Sequence, residues 1–325
     1  MPHDWMMKSA LDESALYITQ MGAAAHALLA PGESGHVLAA FSNAVYLQTA
    51  SHSLFWVASG NAPMHRRCLK ASTPLPQLTA GAPFDVHDHH LTIDPRFVVD
   101  CATASLWQPA QINRDKVVEI AEIPGRVHAL ASSLDFSPAR GFGGFIPHLL
   151  RGGPDFAAAT DDPVMTHATP LLLDIAEALR SQDRQRIALG VDALIGFGGG
   201  LTPSGDDFLG GLLFGIRTLL DVYPGSTPFD LAIISEPYRS RTNPISYTLL
   251  HDLAHGHAIE PLHLIISGIL SGELLEDIHL AIRQLTHVGH STGWDMLTGL
   301  FAGLFLTHQS DHFQGSREIV QSVQT

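Results

Sequence analysis

The chain has 325 residues, 45% of them apolar and only 15% charged, which is length enough for about two domains and a core that needs no disulfide staples. Its 18 basic and 32 acidic residues leave a formal charge of −14, so the overall field repels a phosphate backbone or an anionic membrane surface. Charge content well under the roughly 25% of an average soluble protein points to a surface partly covered by other subunits or a second copy of the chain.

In chain order, Met1-Pro2-His3-Asp4-Trp5 lacks the basic and apolar regions of a secretory signal. Lys8–Ala30 then reads as one helix, with Leu11, Ala15, Ile18 and Gly22 spaced three to four apart and Pro31-Gly32 as its stop. Short β-rich runs follow at His36–Phe41, Val45–Gln48, Leu54–Ala58, Leu91–Ile93 and Phe97–Val99, divided by turn pairs such as Gly60-Asn61 and Gly81–Pro83. That texture predicts a small antiparallel sheet or barrel. Cys68 and Cys101, the only cysteines, fit a reducing cytosol and make no zinc site by themselves. His87-Asp88-His89-His90 reads as a solvated cluster in a turn or strand.

Helices are predicted around Lys116–Glu122 and Arg126–Leu134, then a Gly/Pro-rich connection containing Gly141-Phe142-Gly143-Gly144, Gly152-Gly153-Pro154 and Phe156. Its phenylalanines argue against a plain tether. From Pro170 the spacing is helical, over Leu171–Arg180, Asp183–Leu194, Asp206–Leu220, Pro244–His255, Leu262–Leu270, Leu274–Leu285 and Asp295–His308. The longest apolar runs, Phe208–Ile216 and Met296–Thr307, fall short of the ~20 residues that a membrane span needs. The expectation is an α+β protein of the cytoplasm: a β-rich domain over 1–135, a connection over 136–165 and an all-helical domain over 166–325.

The helical half repeats itself. Ser204–Gly215 and Thr292–Gly303 share six of twelve positions. In each copy a hydroxyl residue precedes a carboxylate by three (Ser204 and Asp207, Thr292 and Asp295), like a capping box with Asp for Glu. Each helix also carries glycines four apart, Gly211/Gly215 and Gly299/Gly303. Interior glycine costs a helix about 1 kcal/mol relative to alanine, and close approach of two helices offsets that cost. The two helices should therefore cross at these faces and bring both acidic starts together.

Gly196-Phe197-Gly198-Gly199-Gly200-Leu201-Thr202-Pro203-Ser204-Gly205-Asp206-Asp207 sets glycine N–H groups before a helix start. No Lys follows, as a P-loop requires, and Leu201 stands where a dinucleotide fingerprint has its third glycine. The two aspartates suit a cation-bridged anion or a ligand with an acidic and an amide end. A well-capped helix after a glycine turn is the simpler alternative. Gly289-His290-Ser291-Thr292-Gly293 spells a nucleophile elbow without the strand that an elbow needs, so it reads as a ligand-binding helix start or a plain cap. Arg241-Thr242-Asn243-Pro244-Ile245-Ser246 offers a guanidinium to a carboxylate or phosphate, or is an N-cap with a surface Arg. His251 and His255 have zinc-helix spacing without an evident third ligand, so surface or core histidines are the simpler reading and a lone metal hydrolase the lesser one.

Taken together, Gly198–Asp207, Arg241–Ser246 with Leu250 and Gly256, and Gly289–Asp295 resemble the three marks of a bacterial family that includes the AllH-type subunit of oxamate carbamoyltransferase. The resemblance spans roughly 190–305. It implies carbamoyl transfer, as a transferase subunit, between carbamoyl phosphate and oxamate or a similar small acid in allantoin and purine degradation, alongside partner subunits. The sequence departs from the family at Gly199, at Asn243-Pro244 and in the histidines of 251–257. Like the family, it lacks the Ser-Thr-Arg-Thr-Arg motif of transcarbamylases.

On that reading a small-molecule anion is held by Gly198, Gly199, Gly200, Thr202 and Ser204, with Arg241 clamping a carboxylate and Thr242, Ser246, Ser291 and Thr292 completing the site. Asp206, Asp207 and Asp295 take Mg²⁺, the only cofactor in prospect, or an amide nitrogen. His290 carries protons, together with Asp207 and Asp295 as the catalytic set. The alternative is a non-catalytic metabolite-binding or scaffold subunit of a multi-subunit complex.

Overall fold

The computed structural model describes residues 15–88, 90–151, 163–224 and 236–306. The chain divides into two compact units, Met1–Ala110 and Gln111–Thr325, each with its own apolar core. The fold is α+β, a strand-built unit followed by a helical one.

Nine strands make up the first unit: β1 (Ala15–Gly22), β2 (Ser34–Ala40), β3 (Ala44–Thr49), β4 (Leu54–Ala58), β5 (Cys68–Ala71), β6 (Pro83–His87), β7 (His90–Ile93), β8 (Phe97–Asp100) and β9 (Ser105–Trp107). They hydrogen-bond in the order β5-β4-β3-β2-β6-β7-β8-β1, and β1 pairs with β5 as well, closing an eight-stranded barrel. β9 runs parallel to the end of β1. Alternation puts Val45, Leu47 and Thr49 of β3 and Phe84 and Val86 of β6 inside, where Phe55 and Phe84 meet edge to face with ring centres 5.6 Å apart.

The expected helix over Lys8–Ala30 is not found where the chain is described. Residues 15–22 form strand β1, and only Ala23–Ala27 are helical, as the short helix α1; Lys8–Ser14 lie outside the described residues. The three-to-four spacing coincided with a two-residue alternation in which Leu16 and Ile18 are buried. Tyr17, Ile18 and Thr19 are strand formers, and pairing with both β5 and β8 outweighs the helical pattern. In the histidine cluster, His89 is outside the described residues. His87 and His90 are exposed, with His90 Nε2 at 3.9 Å from Asp100 Oδ2.

The second unit contains α2 (Ile123–Ser132), α3 (Ile146–Arg151), α4 (Pro163–Arg180), α5 (Arg184–Leu194), α6 (Ser204–Val222), α7 (Pro244–Ala254), α8 (Glu260–Leu270), α9 (Leu275–Thr286) and α10 (Thr292–Leu306). Ile123, Val127, Leu130 and Ala131 of α2 belong to its core. The expected Lys116–Glu122 helix is instead two short 3₁₀ turns, Arg114–Lys116 and Ile120–Glu122. Gly141–Phe145 is a further 3₁₀ turn whose Phe142 and Phe145 are buried. Gly152–Pro154, Phe156 and the end of the last helix toward His308 lie outside the described residues.

α6 and α10 cross as their glycines require. A Cβ at Gly211 would stand 2.0 Å from Met296 O, one at Gly299 1.9 Å from Phe208 O, and one at Gly303 2.6 Å from Leu212 O. The backbones themselves touch, so any side chain at these positions would force the helices apart.

Candidate functional site

The crossing brings both helix starts to one point. The hydroxyls of Thr202 and Thr292 lie 2.9 Å apart and both hydrogen-bond Asp207; those of Ser204 and Ser291 are 3.4 Å apart. Asp207 and Asp295 sit behind them, 3% and 0% exposed. At the start of α6 the expected capping box does not form, for that end has no side-chain cap hydrogen bond. Asp295 Oδ1, at the start of α10, accepts the Phe142 N–H at 2.6 Å.

Asp207 is electrostatically unusual. Burial holds its carboxyl well above the ordinary range, the Asp295 charge adds to that and Asp206 contributes less, while the Thr202 and Thr292 hydroxyls pull the other way. Its Oδ2 is buried and has no hydrogen-bond partner. A buried polar atom left without a partner costs stability and favours any ligand that supplies a donor.

Asp206, next in sequence, has a different part. Its Oδ1 accepts the Gly196 N–H at 2.7 Å, and its Oδ2 accepts the hydroxyls of Thr242 and of Ser246, the latter at 2.6 Å. One carboxylate therefore ties the glycine loop to the starts of α6 and α7. Asn243 doubles the tie: its Oδ1 caps α7 by accepting from Ile245 and Ser246, each at 3.0 Å, and its Nδ2 donates to Leu201 O at 2.6 Å. Asp206, Thr242 and Ser246 are structural partners of one another.

Arg241 is not aimed into the cluster. Its Nη1 pairs with Asp192 Oδ1 and its Nη2 donates to the Asp192 carbonyl at 2.8 Å, both partners being substantially exposed. Its own carbonyl packs where a Cβ on Gly196 would stand, 2.4 Å away. Gly198, Gly199 and Gly200 form an exposed loop; Gly198 and Gly200 have φ of 106° and 95°, which favour glycine. His290 is exposed, and its turn links helix α9 to helix α10, so the nucleophile-elbow spelling lacks its strand. His251 and His255 stack with ring centres 4.2 Å apart, and the His255 Nδ1 is taken by the His251 carbonyl at 2.7 Å. His263, lowered to about 4 by burial and then by His257, accepts the Ala258 N–H through Nε2 at 3.1 Å.

Gly141 and Phe142 complete the cluster, although the sequence placed them in a connection. A Cβ on Gly141, at φ 51°, would lie 2.3 Å from Asp295 Oδ1. Only a glycine lets this turn cover the carboxylate and deliver the Phe142 N–H. The run Gly141-Phe142-Gly143-Gly144 carried that signal.

Residues 194–304 match the family model of oxamate carbamoyltransferase subunit AllH. No solved structure matches the chain. The AllH match begins in α5 and ends in α10, so it takes in the glycine loop, Asp206, Asp207, the start of α7 and Asp295. The barrel and the Gly141–Phe145 turn lie outside it. The three stretches that suggested the AllH resemblance are the ones that meet at the α6–α10 crossing, apart from the guanidinium of Arg241.

Asp206 is not free to hold Mg²⁺: that ion asks for near-octahedral oxygen geometry and keeps several waters, whereas the Asp206 oxygens are occupied by three donors. Among the described residues no three His, Cys, Asp or Glu side chains converge as a metal site, and no helix is long and apolar enough to cross a membrane.

Proposed function

We propose that this chain is a subunit of an oxamate carbamoyltransferase-type assembly, working with partner subunits, and that the α6–α10 crossing binds a small acid bearing a primary amide. The observation that carries this is the buried Asp207 Oδ2 without a hydrogen-bond partner, set among four hydroxyls and beside an exposed glycine loop. An amide N–H donated to Oδ2 satisfies it. The acidic end of the same molecule is then held by the N–H groups of Gly198–Gly200 and the hydroxyls of Thr202, Ser204, Ser291 and Thr292, at helix starts that favour negative charge. Arg241 reaches such an anion only by leaving Asp192.

In the transfer, the amide nitrogen attacks the carbamoyl carbon, the bond from that carbon to the phosphate oxygen breaks, and phosphate leaves with the electron pair. The nitrogen must lose a proton. A carboxyl held above its ordinary range by burial and by the Asp295 charge binds a proton more readily than a solvated one, so Asp207 is the acceptor, and the exposed His290 lies on the turn leading into α10.

The test is phosphorolysis of oxalurate by the purified chain alone and with the products of neighbouring genes, beside thermal shifts with oxamate and with carbamoyl phosphate. Turnover lost in Asp207→Asn while the assembly stays intact supports the proposal. Turnover retained in Asp207→Asn, or neither turnover nor a thermal shift in any combination, overturns it. Assembly lost without effect on ligand binding identifies a scaffold.

A further inference from the structure

The barrel of the first unit offers a feature separate from the helix crossing. At one end of it lies a cavity of about 340 Å³, within the size range of small-molecule sites. Five strands contribute to its walls through Leu16, Val45, Val57, Ile93 and Val99, and the segment between β5 and β6, from Thr73 to Leu78, forms its lip. The register explains the space. Val45 stands opposite Val57 across β3 and β4, and Leu16 opposite Val99 across β1 and β8, so pairs of short aliphatic side chains face inward here. The large rings Phe55 and Phe84 pack against each other elsewhere in the interior and are not among the lining residues. An eight-stranded barrel is wide enough either to be filled by side chains or to take one small ligand.

The chemistry of the walls narrows the occupant. No charged side chain lines the cavity. Of the charges adjacent in sequence to lining residues, Arg96 and Asp94 pair with each other, with the Arg96 guanidinium over the Phe97 ring at 5.4 Å, and Asp100 accepts the Ala102 N–H. A charged ligand would lose its hydration with nothing to replace it. The lip carries the only side-chain hydroxyl, Thr73, and two of its residues, Pro74 and Pro76, have no N–H. Carbonyl acceptors therefore outnumber donors at the mouth.

We propose that the barrel binds a neutral, largely apolar small molecule, of two or three rings or the equivalent in aliphatic carbon, whose single hydroxyl or N–H donor points at the Thr73–Pro76 lip. The site belongs to the first unit alone and is independent of the carbamoyl chemistry.

The experiment titrates the full chain with N-phenyl-1-naphthylamine, a neutral aromatic amine with one N–H that fluoresces in apolar surroundings. The native chain should give a saturable rise in fluorescence. Val57→Phe, which fills the cavity from its wall, should weaken binding at least tenfold, and Val45→Leu should weaken it less. Thr73→Val, which keeps the shape of the lip and removes the hydroxyl, should cost roughly fivefold. Circular dichroism identifies a variant that fails to fold; if Val57→Phe does, Val45→Leu and Thr73→Val decide. No saturable rise with the native chain, or unchanged affinity in the folded variants, overturns the proposal.

Discussion

Replacing Gly299 by alanine tests the helix crossing on which the helical site is built. The new Cβ would stand 1.9 Å from Phe208 O and 2.8 Å from Leu212 N. Both are backbone atoms with no rotamer to yield, so α6 and α10 must part by more than 1 Å to reach the 3.0 Å below which real Cβ contacts essentially do not occur. Overpacking of this kind costs about 1–3 kcal/mol, and an unyielding backbone places it at the upper end. Alanine returns about 1 kcal/mol of helix propensity, leaving a net loss of about 2 kcal/mol. For a unit of this size that lowers Tm by roughly 4–8 °C. Gly125 is the control: it lies in α2, where an added Cβ meets nothing within 4 Å, so Gly125→Ala should stabilise by about 0.4–1 kcal/mol. Urea titrations followed by far-ultraviolet circular dichroism measure both. If Gly299→Ala proves as stable as Gly125→Ala, the backbone-contact reasoning is refuted.

Asp206→Ala removes the acceptor for three donors and should cost upwards of about 3 kcal/mol in the same titration; a loss under 1 kcal/mol would mean that the loop and α7 do not depend on it. Asp207→Asn acts oppositely on stability. Because its folded pKa is raised, the folded state binds the proton more tightly. The stability Asp207 contributes is present below its unfolded value near 3.8 and is lost as pH rises through the folded one. The Asn variant, free of that loss, should be the more stable protein at pH 8 and show no advantage near pH 4, checked by thermal melts across that range. Cys68 and Cys101, both pushed up to about 12 chiefly by burial, should be inert to Ellman's reagent at pH 8 until denaturant is added; fast labelling of the native chain would contradict their burial.

The helical unit was legible because its signals are local. Glycines four apart on two similar helices announced a close crossing, and the loop before α6 announced an unusual helix start. The division of labour inside the site was not legible. Asp206 and Asp207 are neighbours of identical chemistry, yet successive helix positions point about 100° apart. One therefore meets Gly196, Thr242 and Ser246 and the other meets Thr202 and Thr292, and only long-range packing decides which. Arg241 reads as a ligand clamp in the sequence because Asp192, forty-nine residues earlier, carries no local sign of being its partner. In the barrel, β3 showed through its alternation and β4 through an unbroken apolar run. β5, Cys68-Leu69-Lys70-Ala71, has no β-branched or aromatic residue to mark it, β9 has three residues, and β1 was disguised by a coincidence of spacings.

The way β1 closes the barrel bears on how the protein is made. Residues 15–22 find their hydrogen-bonding neighbours only at 68–71, 98–100 and 105–107. As the polypeptide leaves the ribosome, one edge of this strand waits about fifty residues for β5 and the other about eighty for β8 and β9. Such long-range pairings slow folding and leave aggregation-prone edges exposed on the way. The second unit is under a like constraint, because α6 at 204–222 closes on α10 at 292–306 and Phe142 donates to Asp295, so neither unit completes its core until its last elements have been made.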